Sequence, residues 1–298
     1  MRASILAAAA AALIGASVSY VRTRTPNGDH CLRWPAGAVA IVQSIPGDPP
    51  LGDAGFQAVT RSWQTWEAQM QVCGSLTLFE GPRSSSRSVG FTPGGPNENL
   101  LLFRTVRCSD VVDAGDPCLA ASSCGNAHDC WDHGASALAL TTSTYRTADG
   151  VVLDADIEFN AADGYFTTVD GPPCDAGTEA LDCVVNDTQN TSTHEMGHFL
   201  GLAHSPDPAS TMYAFAPAGE TSKRTLDPGS LQFVCDVYPH GLPSQDCAAP
   251  DAGPPGSPDG GAGGGSGGCS SVETGGRPSA GLVLLLGLLA LAARRRSR

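Results

Sequence analysis

Short runs of apolar residues with a period of two alternate along this chain with two longer stretches that repeat at helical spacing. "AVAIVQSI" (38–45), "SLTLFE" (75–80) and "NLLLFRTV" (99–106) read as strands. Residues 135–160, "ASALALTTSTYRTADGVVLDADIEFN", read as two strands joined at Ala148-Asp149-Gly150, where the Asp-Gly pair favours a hairpin-like turn. In residues 53–71, Phe56, Val59, Trp63 and Trp66 recur at helical spacing behind Asp53, a candidate N-cap, and the two tryptophans are expected in the core. Residues 226–239, "LDPGSLQFVCDVYP", carry a complete helix start. Asp227 can cap, Pro228 suits the first helical position, and Leu226 can pack on Leu231 as a staple. Leu231, Val234 and Tyr238 then form the buried stripe. The order strand, helix, strands, helix predicts an α/β (α+β) sandwich rather than a doubly wound sheet.

Composition places this domain within residues 20–247. Residues 1–19 combine Arg2, an apolar run and a small-residue end, Ser17-Val18-Ser19, and read as a secretory signal peptide. Residues 248–268 are dominated by Pro, Gly and Ser and read as a linker. Residues 269–298 form a C-terminal segment: Cys269, a polar spacer, an apolar run over 280–293, and "RRRSR". Fourteen residues make a helix of about 21 Å, short of a stable span. The order of parts resembles the myxobacterial C-terminal sorting signal, which implies a surface or secreted protein touching the membrane through this segment only.

Export suits the cysteines. Ten of the 11 lie between positions 31 and 247, and the pairs Cys118/Cys124, Cys174/Cys183 and Cys235/Cys247 are close enough to staple short loops, although spacing does not set connectivity. Residues 105–134 and 161–186 are expected to be irregular, disulfide-held loops. The chain carries a formal net charge of −13. Without residues 1–19 and 270–298, 11 basic residues face 29 acidic ones, a net −18 that argues against nucleic acid as a partner. Nothing in the composition calls for an oligomer.

The chemistry is concentrated in "THEMGHFLGLAHSPDPASTMY", residues 193–213. His194 and His198 are four apart, so a helix stacks their imidazoles on one face, and Glu195 sits beside any ion they hold without having to ligate it. His204 could not reach the same ion from a helix that ran straight on. Gly201 resolves this, because glycine readily adopts the left-handed conformation that ends a helix and turns the chain back. From this chain's composition, the five fixed residues of HExxHxxGxxH should coincide by chance with a probability on the order of 10⁻⁵.

With Ser205, Met212 and Tyr213, this segment resembles the zinc-binding region of the metzincin metallopeptidases, specifically the matrixins. "LDADIEFN" (153–160) resembles the strand that borders their cleft, "CLRWP" the lead-in to their first strand, and residues 226–239 their last helix. The resemblance implies a twisted, mostly parallel sheet with an antiparallel edge strand, packed on about three helices. It implies Zn²⁺ held by His194, His198 and His204, Glu195 as general base, Met212 as the Met-turn beneath the metal, and a protein or peptide substrate. Residues after Tyr213 would shape the pocket for the residue following the scissile bond. Departures are equally legible. There is no cysteine-switch motif, and Ala214 replaces the proline that often follows Met-Tyr. "AHDCWDHG" offers His128, Asp129, Asp132 and His133 for a second metal, but not at the family's spacing. Ca²⁺ near Asp154 or Asp163 is a further candidate. A zinc-stabilised surface binding module without catalysis is the competing reading, and Glu195 argues against it, since a purely structural site has no use for that carboxylate.

Overall fold

The computed structural model of the protein describes residues 19–121, 123–247 and 280–286. β1 (Gly37–Gln43), β2 (Leu76–Glu80), β3 (Leu100–Arg104), β4 (Ala139–Arg146) and β5 (Val152–Asn160) form one sheet in the order β2-β1-β3-β5-β4. All run parallel except β4, which is antiparallel to β5. This is the expected mixed α/β sheet. The β4–β5 turn is where the Asp-Gly pair predicts it: Gly150 has φ +69°, and Asp149 is held by Arg146 at 2.6 Å.

One expectation is corrected here. Residues 153–160 do not border the cleft, because β5 is hydrogen-bonded on both sides, to β3 and β4. The strand at that side of the domain is β4. Along its other side lies β8 (Ala280–Leu286), antiparallel, with Thr142 opposite Leu284. The tail's apolar run was expected as a helix, yet these seven residues are extended. A strand edge offers a row of unpaired N–H and C=O groups, and a Val/Leu-rich segment can satisfy them by pairing. The remainder of the tail, the linker and residues 1–18 lie outside the described residues. No helix among the described residues is long and apolar enough to cross a membrane.

Alternation along the strands builds the core. Val39, Ile41, Leu76, Leu78, Leu101, Phe103, Ala155, Ile157 and Phe159 share one cluster on the helix-covered face. Against them packs α1 (Asp53–Cys73), through the buried Val59, Trp63, Trp66 and Met70. Asp53 is the first helical residue rather than the cap; Gly52, at φ +52°, occupies that position. Asp53 still suits the positive end of the helix dipole. α6 (Pro228–Val237) starts as its sequence predicts, with Asp227 accepting from Gly229 N–H at 2.8 Å. Its buried side is Phe233, Val234, Val237 and Tyr238, while Leu231 is only partly buried.

Five disulfides are present among the described residues. Cys118–Cys124 and Cys174–Cys183 staple loops as their spacing suggested, but Cys235 does not pair with Cys247. Cys73–Cys235 ties the end of α1 to α6, Cys31–Cys247 closes the two ends of the domain, and Cys108–Cys130 crosses the β3–β4 connection. That connection is more regular than expected, with three short helices: α2 (Cys108–Val111), α3 (Pro117–Ala121) and α4 (Cys124–His128). The second expected loop contains only β6 (Phe166–Thr167) and β7 (Asn186–Asp187), paired in parallel.

The opposite face of the sheet is polar under β5. Asp154, Asp156 and Glu158 point there, each at most 3% exposed. Glu158 accepts from the buried Arg104 at 2.7 Å. Asp156 accepts from Gly90 and Leu100 N–H groups, fastening the 81–99 loop to the sheet. Burial raises both aspartates, Asp156 further through the charge of Asp154, so the pair retains a proton at pH values where free carboxyls have lost theirs. For acids with raised folded pKa values, stability is complete below the unfolded value and is lost as pH rises through the folded one. Asp154→Asn supplies a donor without a charge. It is expected to raise the melting temperature by about 2–8 °C near neutral pH, corresponding to roughly 1–2 kcal/mol. Melting curves from pH 4 to 8 check this: the gain should grow with pH, and a gain independent of pH contradicts the shared proton.

Candidate metal centre

α5 (Thr188–Phe199) carries the first two histidines, and its start is built by Asp187. That carboxylate accepts from Asn190 N–H at 2.7 Å and is gripped by Arg224, with Nε at 2.8 Å from Oδ1. From the α1 side, Trp66 Nε1 donates to the Thr193 carbonyl at 2.9 Å, and the Ser62 and Ser192 hydroxyls meet at 2.6 Å. Thus α5 is fixed in rotation as well as in depth, and His194, Glu195 and His198 are all fully buried.

The helix stops where the sequence predicts. Gly201 has φ +105°, and a Cβ there would run into the Leu32 carbonyl. The turn is clamped by the N-terminal segment, a contact that spacing did not reveal. Thr23 N–H donates to the Gly201 carbonyl at 2.9 Å, Thr23 Oγ1 to the Leu202 carbonyl at 3.0 Å, and Ala203 N–H to the Val21 carbonyl at 2.8 Å. Chain reversal then brings His204 back over α5.

The three imidazoles converge. His194 Nδ1 lies 2.7 Å from the Thr211 carbonyl and His198 Nδ1 lies 2.8 Å from that of Leu202. A ring that donates Nδ1–H to a carbonyl presents its Nε2 lone pair on the other side. His198 Nε2 and His204 Nε2 are 3.1 Å apart, and one nitrogen from each of the three rings lies within 4.8 Å of the others. Buried His194 Nε2 has no hydrogen-bond partner. Ligands about 2.0–2.1 Å from a tetrahedral zinc ion sit roughly 3.3 Å apart, so the donor set fits that ion. Burial lowers the pKa of His194, helped by the neighbouring rings, and holds His198 down at about 3; His204 is lowered by burial and by Lys223. The rings are therefore neutral, as metal ligation requires.

Met212 is 2% exposed, and its sulfur lies so close to Gly197, between His194 and His198 on α5, that a Cβ there would collide with it. Its turn is anchored by Asp227, whose Oδ1 accepts from Thr211 N–H at 3.0 Å while Thr211 Oγ1 accepts from Asp227 N–H at 3.0 Å. One carboxylate thus caps α6 and sets the turn under the histidines; only its first role was legible in the chain. Burial pushes Asp227 up, but the bonds from Ser230, Thr211 and Gly229 outweigh it and hold the carboxylate below the ordinary range. In residues 214–224, Lys223 Nζ donates to the Phe215 carbonyl at 2.7 Å and to Glu220 at 2.8 Å, and Lys223 N–H donates to Asn190. Glu195 meets Thr141 of β4: the hydroxyl is 2.6 Å from Oε2 and 3.2 Å from the Glu195 carbonyl.

The four residues offered for a second metal are not drawn together. Asp129 is taken by Arg87 and Arg104 at 2.8 Å each, His133 lies near Asp132 and Glu158, and exposed His128 stands near Asp116 and Cys118, whose sulfur is in a disulfide. Of the two candidate calcium positions, Asp163 is paired with Arg107 and Asp154 is buried on the polar face of β5. The Arg104 guanidinium supplies the positive charge on that side of the sheet.

Residues 124–238 match the family model of the matrixins. A stretch of 47 residues is 43% identical to matrilysin of Felis catus; it covers 16% of this chain and 18% of that protein, less than a fifth of its length. The match begins at α4 and ends with α6, so it takes in the hairpin, the histidine helix and the methionine turn while leaving β1, α1, β2 and β3 to the fold alone. Residues 124–238, which hold the histidine helix and the turn at Met212, are therefore similar to the matrixins.

Proposed function

We infer that the protein is an exported zinc-dependent endopeptidase in which His194, His198 and His204 hold the metal and Glu195 is the general base. The observation that carries this reading is the convergence of three neutral imidazole nitrogens beside a buried glutamate. When bound, zinc supplies Lewis acidity that lowers the pKa of a water to about 7 and polarises a carbonyl. The Glu195 carboxylate takes the proton of the attacking water and passes it to the amine nitrogen of the departing peptide. Thr211 and Leu202 carbonyls keep the His194 and His198 rings turned to the ion. An extended substrate adds to the edge of β4, in the place that Ala280–Leu286 takes in this structure. Tyr213, Phe215 and the Lys223-held loop shape the pocket beyond the scissile bond.

The signal peptide, the disulfides and the tail support a secreted or surface-displayed protein. Incubating the purified full chain with a peptide library should give cleavage that a chelator abolishes and zinc restores. Parallel restoration with zinc alone and with zinc plus calcium decides whether calcium contributes. Cleavage that persists in the metal-depleted protein overturns the reading.

A further inference from the structure

On the helix-covered face of β4, the inward positions are Ala139, Thr141, Ser143 and Tyr145. Thr141 is a hydroxyl at a fully buried position, in a layer to which β3 and β5 contribute Leu101, Phe103, Ala155, Ile157 and Phe159. Its oxygen is 2.6 Å from Glu195 Oε2 and 3.2 Å from the carbonyl oxygen of the same residue. Both are acceptors, so the hydroxyl is the donor and spans the carboxylate and the backbone of one residue. We propose that Thr141 is a positioning residue that fixes the rotamer of Glu195, and so sets where the general base meets water.

This rests on the base assignment above. The physical reason is restraint. A glutamate has three rotatable side-chain bonds, and a carboxylate held at one oxygen from a rigid strand loses most of that freedom before substrate arrives. β4 is suited to the task, because it is bonded across its length to β5. The same strand would therefore hold an extended substrate by its edge and the base by a side chain, keeping the two in register. A small misplacement of a catalytic group is enough to cost about 10²-fold in rate.

Thr141→Val and Thr141→Ser in the zinc-loaded full chain test this. Valine keeps the shape and removes the donor. It is expected to lower kcat by about 10- to 100-fold with KM within about twofold, while zinc stoichiometry stays at the wild-type value. Serine should recover most of the loss. In a Glu195→Gln background, Thr141→Val should cost little further, because its effect passes through the carboxylate. A merely structural role predicts an equal loss in both backgrounds and no rescue by serine, and either result overturns the proposal. Crystal structures of the valine variant give an independent readout: Glu195 should leave its single rotamer. An unmoved carboxylate in that structure refutes the role of Thr141 even if the protein cleaves no peptide, whereas an inactive wild type with a displaced carboxylate in the variant refutes only the peptidase reading.

Discussion

Replacing Glu195 with glutamine is expected to reduce peptide hydrolysis by about 10²–10⁴-fold while zinc remains bound at wild-type stoichiometry. Glutamine keeps the shape of the side chain and an oxygen able to accept from Thr141 Oγ1, now 2.6 Å from Oε2. It cannot take a proton from water at neutral pH. The His194 and His198 imidazoles do not depend on this residue for orientation, since they are held by the Thr211 and Leu202 carbonyls. Loss should appear in kcat, with little change in KM, because the proton moves only on the way to the transition state. Steady-state kinetics beside metal analysis separate the outcomes. An undiminished kcat removes the base assignment, and a loss of zinc would make Glu195 part of the metal's support instead.

Gly201→Ala should have the second large effect, and through geometry alone. The backbone at φ +105° is unfavourable for any L side chain, and the added methyl collides with the Leu32 carbonyl. Relief requires moving either the turn or the segment beneath it, and the turn carries His204. A cost of roughly 2–4 kcal/mol, or about 5–15 °C in melting temperature, is expected, with zinc affinity weakened by at least tenfold. Gly241→Ala is the matched control: φ is +75°, but nothing lies within 4 Å of the added atom. It should show the smaller backbone cost and unchanged zinc binding. Competition against a chromophoric chelator, run with thermal melts on both variants, compares them directly. Full zinc affinity in Gly201→Ala would mean that His204 reaches the ion without this turn.

The two predictions separate what a linear pattern can carry from what it cannot. HExxHxxGxxH is local: helix periodicity relates His194 to His198, and a glycine conformation relates both to His204. Each relation spans only a few residues, so spacing alone defines it. The Asp227 cap, the Asp-Gly turn and the buried Trp63 and Trp66 are legible for the same reason. Thr141 left a fainter trace, a hydroxyl on the inward side of an alternating strand, which acquires meaning only once α5 is known to lie above it.

What the chain determined by itself was therefore the five main strands, α1, α5, α6 and the histidine spacing, because hydrogen bonding within helices and turns is short-range. The tertiary structure alone decided that β5 is flanked on both sides with β4 outside it, that Cys235 pairs with Cys73 and Cys31 with Cys247, and that Thr23 clamps the turn after α5. It also decided that Ala280–Leu286 extends along β4, and that Asp227 serves a turn 16 residues before it. These depend on contacts between segments far apart in sequence, whose free energy is set by packing and by which edge or partner remains open after the sheet has formed.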